Sequence, residues 1–97
     1  MPKVVDINLD AGEMVLRLEK ENMPRTIAYS RLDRMVKEQA TVRKLLWTVQ
    51  VKRIEMHVKG MDVPIVVASN NVGDYENVEN RLMKVAEEYG ISIEEQQ

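Results

Sequence analysis

The chain contains a single histidine, His57, and no cysteine. Nucleophilic catalysis needs a nucleophile beside a base that takes its proton, and thiolate chemistry is therefore excluded. Alternation places His57 on the polar face of a strand beside Glu55 and Lys59, where a solvated histidine is the expected reading rather than a base or metal ligand. The acidic residues show no metal-ligand spacing of the EF-hand kind. The pairs Glu87–Glu88 and Glu94–Glu95 are neighbours in sequence, and on a helix such neighbours do not face each other as an acid–base pair. The four glycines, at 12, 60, 73 and 90, lie too far apart to cradle a phosphate. The expectation is a protein that is not an enzyme and carries no metal or cofactor.

Charge is the one uneven feature. Residues 31 to 59 carry eight bases against three acids, a net of +5, and residues 70 to 97 carry two bases against seven acids, a net of −5. Arg31, Arg34, Lys37, Arg43, Lys44, Lys52 and Arg53 are the candidate contacts for an anion or an acidic partner. Such a patch suits the phosphates of lipid headgroups or of nucleic acid, with affinity falling as salt rises. The competing and favoured reading pairs basic with acidic faces, within the fold or between neighbours in an oligomer. Nucleic acid is further disfavoured by a sequence pI near 5.4 and by the lack of aromatics interleaved with the bases. Trp47, the only tryptophan, sits between aliphatic neighbours and reads as core rather than as an exposed anchor.

A chain of 97 residues, 44% hydrophobic and 31% charged, matches one ordinary globular domain spanning 1–97. It has no apolar run long enough to span a membrane and no secretory start, so the expected setting is the cytoplasm. Seven methionines and no phenylalanine leave aliphatic and thioether side chains to fill the interior.

The elements that must position these residues follow from periodicity. Val5, Ile7 and Leu9 alternate with polar residues as a half-buried strand requires, predicting a strand over 3–9. Asp10 and Gly12 make a turn, and Met14, Leu16 and Leu18 continue as its hairpin partner. Pro24 marks a further turn before a strand over 25–30. Over 31–40, Leu32, Met35 and Val36 have helical spacing behind a Ser30…Asp33 capping pattern, and a short helix is favoured there over continued strand. Residues 42–51 match helix and strand templates alike. Beyond them Ile54, Met56 and Val58 alternate on even numbers where Val49 and Val51 stood on odd ones, which predicts a β-bulge at Lys52 or Arg53. A hairpin over about 52–69 follows, with Pro64 near its edge. Tyr75, Val78, Leu82, Val85 and Tyr89 then define an amphipathic helix over 74–89, with Asp74 as N-cap and Gly90 as C-cap. Ile91 and Ile93 anchor a short tail before the end frays.

The predicted class is α+β, an antiparallel sheet of five or six strands packed by the C-terminal helix. The passages "RTIAYSRLDRM", "VKRIEMHVKGMDVPIVV" and "DYENVENRLMKVAEEYG" together resemble bacterial pleckstrin-homology-like domains. That resemblance covers about two thirds of the chain and implies seven strands in a strongly bent sheet. It supplies no ligand residues, and such folds serve lipid binding, peptide binding and oligomerisation alike. The functional expectation is a small non-catalytic interaction or assembly module with a protein partner or a second copy of itself. The alternative is an anion-binding module acting on a phospholipid headgroup, at a membrane surface, or on nucleic acid.

Overall fold

A computed structural model describes residues 1–96. The fold is α+β, with seven strands in two sheets and one helix among the described residues. Strand β1 (Val4–Leu9) turns at Asp10–Gly12 into β2 (Glu13–Leu18), and β3 (Arg25–Ala28) adds to β2 to complete a three-stranded antiparallel sheet. A 3-10 turn over Tyr29–Arg31 leads into β4 (Leu32–Arg43), which pairs along its whole length with β5 (Thr48–Val58). Strand β6 (Ile65–Ala68) lies on the other side of β5. Helix α1 (Tyr75–Tyr89) follows, and β7 (Ser92–Gln96) pairs parallel to β4, giving the second sheet the order β6-β5-β4-β7. No described helix is long and apolar enough to cross a membrane.

One main core lies between the inner faces of the two sheets and α1. Met14, Leu16, Ile27, Tyr29, Leu32, Met35, Ile54, Met56, Ile65, Val67 and Leu82 are buried in it. Three of the seven methionines, Met14, Met35 and Met56, have no exposed surface at all, so thioethers fill the space that phenylalanine commonly takes. The helix enters this core through Tyr75, Leu82 and Val85, with Val78 half-buried. Tyr89 remains exposed at one edge while its ring meets Tyr29 edge-on, centroids 5.6 Å apart and planes at 68°.

The short helix expected over 31–40 is strand. The β4–β5 register shifts between Leu32 and Arg34, a bulge that brings Leu32 and Met35 onto the same inner face despite their odd separation. Val36 points to the opposite face and is buried there too. A bulged strand with apolar residues on both faces thus reproduces the i, i+3, i+4 spacing of a helix.

The bulge expected at Lys52 or Arg53 is absent, because the register runs unbroken from Met35↔Met56 to Arg43↔Thr48. The change from odd to even numbering is a change of buried face. Ile54, Met56 and Val58 face the main core, whereas Val51 joins Val66, Ala68 and Val42 in a small cluster on the outer face. Asp74 is not an N-cap of the expected kind: its φ is 55° and its side chain makes no capping hydrogen bond. Gly90 does close the helix, at φ 63° with its N–H donating to the Ala86 carbonyl. The tail beyond it is strand β7, which with β4 raises the strand count from the expected five or six to seven; Gln97 lies outside the described residues.

Candidate functional site: a protruding hairpin arm

Among the described residues strand β7 follows β4 only as far as Glu38, and β6 follows β5 only to Arg53, extended by the Ser69 N–H donating to the Lys52 carbonyl. Beyond those points β4 and β5 continue alone, pairing Gln39↔Lys52, Ala40↔Val51, Thr41↔Gln50, Val42↔Val49 and Arg43↔Thr48. At a rise of about 3.4 Å per residue, this two-stranded arm reaches about 15 Å past the rest of its sheet. It is closed by the Lys44 N–H donating to the Trp47 carbonyl at 2.7 Å, which leaves Leu45 and Leu46 at the apex.

The apex is apolar and unburied: Leu45 is 94% exposed, Leu46 84% and Trp47 61%. Trp47 is therefore not core, contrary to expectation, because the strand partners that would have covered it end several residues earlier. Two-residue hairpin apices favour Asn, Asp and Gly, whose backbones reach positive φ cheaply. Neither Leu45 nor Leu46 is at positive φ. The sequence thus sets leucines where turn chemistry asks for other residues and where the core gains nothing. On the sides of the arm, Ala40, Val42, Val49 and Val51 share one face, while Gln39, Thr41, Arg43, Thr48, Gln50 and Lys52 share the other.

The seven basic residues singled out from the sequence do not form one patch. Arg34 pairs with Glu94 at 3.1 Å, Lys37 with Glu79 at 3.1 Å and with Glu95 at 3.6 Å, and Arg53 with Glu38. The Glu79 carboxylate beside Lys37 holds its ammonium above its ordinary pKa. Arg31 lies at the opposite end of β4 and donates to the Lys59 carbonyl at 2.7 Å. Only Arg43, Lys44 and Lys52 stand together on the arm, and none makes an ion pair among the described residues. Between Gln39 and Lys52 there is no acid at all. The bipolar charge distribution is thus partly spent inside the fold, where β7 and α1 bring acids onto the base of β4, and the arm retains a net charge of +3.

Beside the arm's base lies an open recess of about 560 Å³ whose lining includes Lys37, Tyr75, Glu79, Thr41, Gln50 and Lys52. Of its charged groups Lys37 is joined to Glu79 and Glu95 and Arg53 to Glu38, while Lys52 makes no ion pair among the described residues. Burial raises the Tyr75 hydroxyl pKa above its ordinary value. His57 is half-buried on the outer face with Nε2 3.6 Å from Glu55 Oε2, far along β5 from the recess. No group of three or more metal-ligating side chains occurs among the described residues.

Sequence reasoning missed Leu45 and Leu46 and misassigned Trp47. A signal was present: polar and apolar residues mirror each other about Leu45–Leu46, with Val42 answering Val49, Thr41 answering Gln50 and Ala40 answering Val51. Without a Gly or Asn at the centre, that mirror reads as ambiguous periodicity. Compared with known protein families, curated proteins and solved structures, the chain matches none.

Proposed function

We propose that this protein is a non-catalytic interaction module whose contact element is the β4–β5 arm. The observation that carries the reading is the exposure of Leu45, Leu46 and Trp47 at the apex of a two-stranded ribbon. Isolated two-stranded hairpins are only marginally stable in water, and an apolar apex adds an unfavourable hydrated surface. Such an element becomes favourable once something covers it. Sequences break local rules chiefly where function demands it, and a Leu-Leu apex is such a break.

The resemblance to pleckstrin-homology-like domains is a proposal of the same rank. Seven strands and one helix favour it, whereas a seventh strand that follows the helix and lies parallel to β4 departs from a sheet closed by its C-terminal helix.

Sedimentation of the wild-type chain and of an L45S/L46S/W47S variant tests the reading, across protein concentration and with lipid vesicles present. The expected result is an association, with another copy or with vesicles, that the variant lacks. A wild-type chain that stays monomeric and unbound throughout, or a variant that associates equally well, sinks it.

A further inference from the structure

Building on that reading of the arm, we propose that its occupant is an anionic lipid bilayer surface, into which Leu45, Leu46 and Trp47 insert while Arg43, Lys44 and Lys52 meet the headgroup phosphates. Three observations select this partner over a second copy of the chain or a nucleic acid.

The first is shape. The apolar residues sit at a convex, narrow apex closed by the Lys44–Trp47 hydrogen bond, which suits a fluid medium that closes around it. A protein partner would need a matching groove. A further recess among the described residues, about 390 Å³ near Pro2, Leu18 and Met61, has a mixed border of Lys3, Lys20 and Arg25 with Glu19 and Glu21, and so offers no acidic groove to a basic arm.

The second is chemistry at graded depth. Leucines occupy the most exposed positions, and the tryptophan is immediately behind them. Tryptophan favours the boundary between hydrocarbon and headgroups, where its ring is apolar and its N–H is hydrated. Lys44 adjoins the apex and Arg43 lies one residue further from it, and long basic side chains carry their charge back to the headgroups while their stems lie against apolar material.

The third is electrostatic. The arm has three bases and no acids, whereas every other base of the 31–53 set is paired with a carboxylate or a backbone carbonyl. Helix α1 starts at the arm's base, where Tyr75 and Glu79 line the same recess as Thr41 and Lys52. It ends with Glu87 and Glu88 beside Tyr89, whose ring rests on Tyr29 near the far end of β4. Acids stand at both helix ends, Asp74, Glu76 and Glu79 at the arm's base and Glu87 and Glu88 at the other, so the helix itself sets no direction. The arm projects beyond its base, and an anionic surface meets Arg43 and Lys44 first. Two arms docked on each other would instead bring six bases together.

Trp47 is the only tryptophan, so its emission reports the apex without labelling. The protein is titrated with phosphatidylcholine vesicles, with vesicles containing phosphatidylserine as well, and with soluble glycerophosphate and a DNA duplex. The expected result is a blue shift with the serine-containing vesicles alone, weakened by added salt. The L45S/L46S variant, with Trp47 retained, is expected to bind about tenfold or more weakly, as is R43Q/K44Q. Circular dichroism melts of both variants should match the wild type, since the altered side chains lie outside the core.

No shift with anionic vesicles overturns the proposal. A lipid-independent shift that grows with protein concentration overturns it in favour of a second copy and leaves the arm as contact element. Binding to glycerophosphate or DNA that the serine variant keeps overturns it in favour of simple phosphate attraction. Absence of any contact under all conditions overturns the arm reading as well.

Discussion

The Tyr29 hydroxyl donates to the backbone carbonyl of Asp10 at 2.6 Å, and the Tyr29 N–H donates to the Gly12 carbonyl at 3.2 Å, so one residue holds the β1–β2 turn against the start of the second sheet. Tyr29 is 1% exposed and touches α1 through Tyr89. It therefore joins the three-stranded sheet, the four-stranded sheet and the helix. Tyr29→Phe keeps the ring packing and removes only the hydroxyl. The expected loss is about 1 kcal/mol of unfolding free energy in denaturant titration, with faster hydrogen exchange confined to the 10–13 turn.

Stability should fall in alkali. Burial raises the Tyr29 hydroxyl above its ordinary pKa of 10.0 and the Tyr75 hydroxyl further still, and Glu79 raises Lys37 above 10.5. In each case the folded state holds its proton more tightly than the unfolded chain. The contribution is complete below the ordinary values and is lost as pH climbs through them toward the folded ones. Each fully linked group steepens the decline by about 1.4 kcal/mol per pH unit. Denaturant midpoints across this range should show a shallower decline for Y29F/Y75F than for the wild type, and equal slopes would disprove the linkage.

Gly90 and Gly73 flank the helix and should respond oppositely to alanine. A Cβ at either meets nothing within 4 Å, so sterics cannot separate them. Gly90 sits at φ 63° in the left-handed region and Gly73 does not. Gly90→Ala is expected to cost about 1 kcal/mol, and Gly73→Ala to be neutral or stabilising by about 0.5 kcal/mol through the unfolded chain. Thermal melts of the two variants decide this.

Legibility in the sequence followed the number of faces each element buries. Strand β2 and helix α1 bury one face or stripe, so Met14–Leu18 and Tyr75–Tyr89 show clean periods, whereas β1 buries Val4 in place of the expected Val5 because its register shifts between Val4 and Asp6. Strand β4 buries Leu32 and Met35 on one face and Val36 on the other across a bulge, and that mixture imitates a helix. Strand β5 changes its buried face between Val51 and Ile54, which imitates a register slip. Strand β7 is wholly exposed and has no buried period to detect. The basic character of 31–59 was legible, but its division was not. Which bases stay unpaired depends on Glu79 and Glu94, brought to β4 from more than forty residues away.

Removing the arm should leave the fold intact. Beyond the Thr41–Gln50 pair, the arm adds no residue to the main core and only Val42, half-buried, to the outer cluster. Replacing residues 42–49 by Asn-Gly supplies the turn chemistry that a two-residue hairpin prefers and deletes the apolar apex. The shortened chain is expected to unfold within about 0.5 kcal/mol of the wild type, since changes outside the core and away from caps are commonly that small. It should be at least as soluble, because the exposed Leu45, Leu46 and Trp47 are gone. Denaturant titration checks the first expectation and the concentration at onset of light scattering the second. A loss of several kcal/mol would mean that the arm is a structural part of the domain. An unchanged stability means that the chain keeps this ribbon for something other than folding.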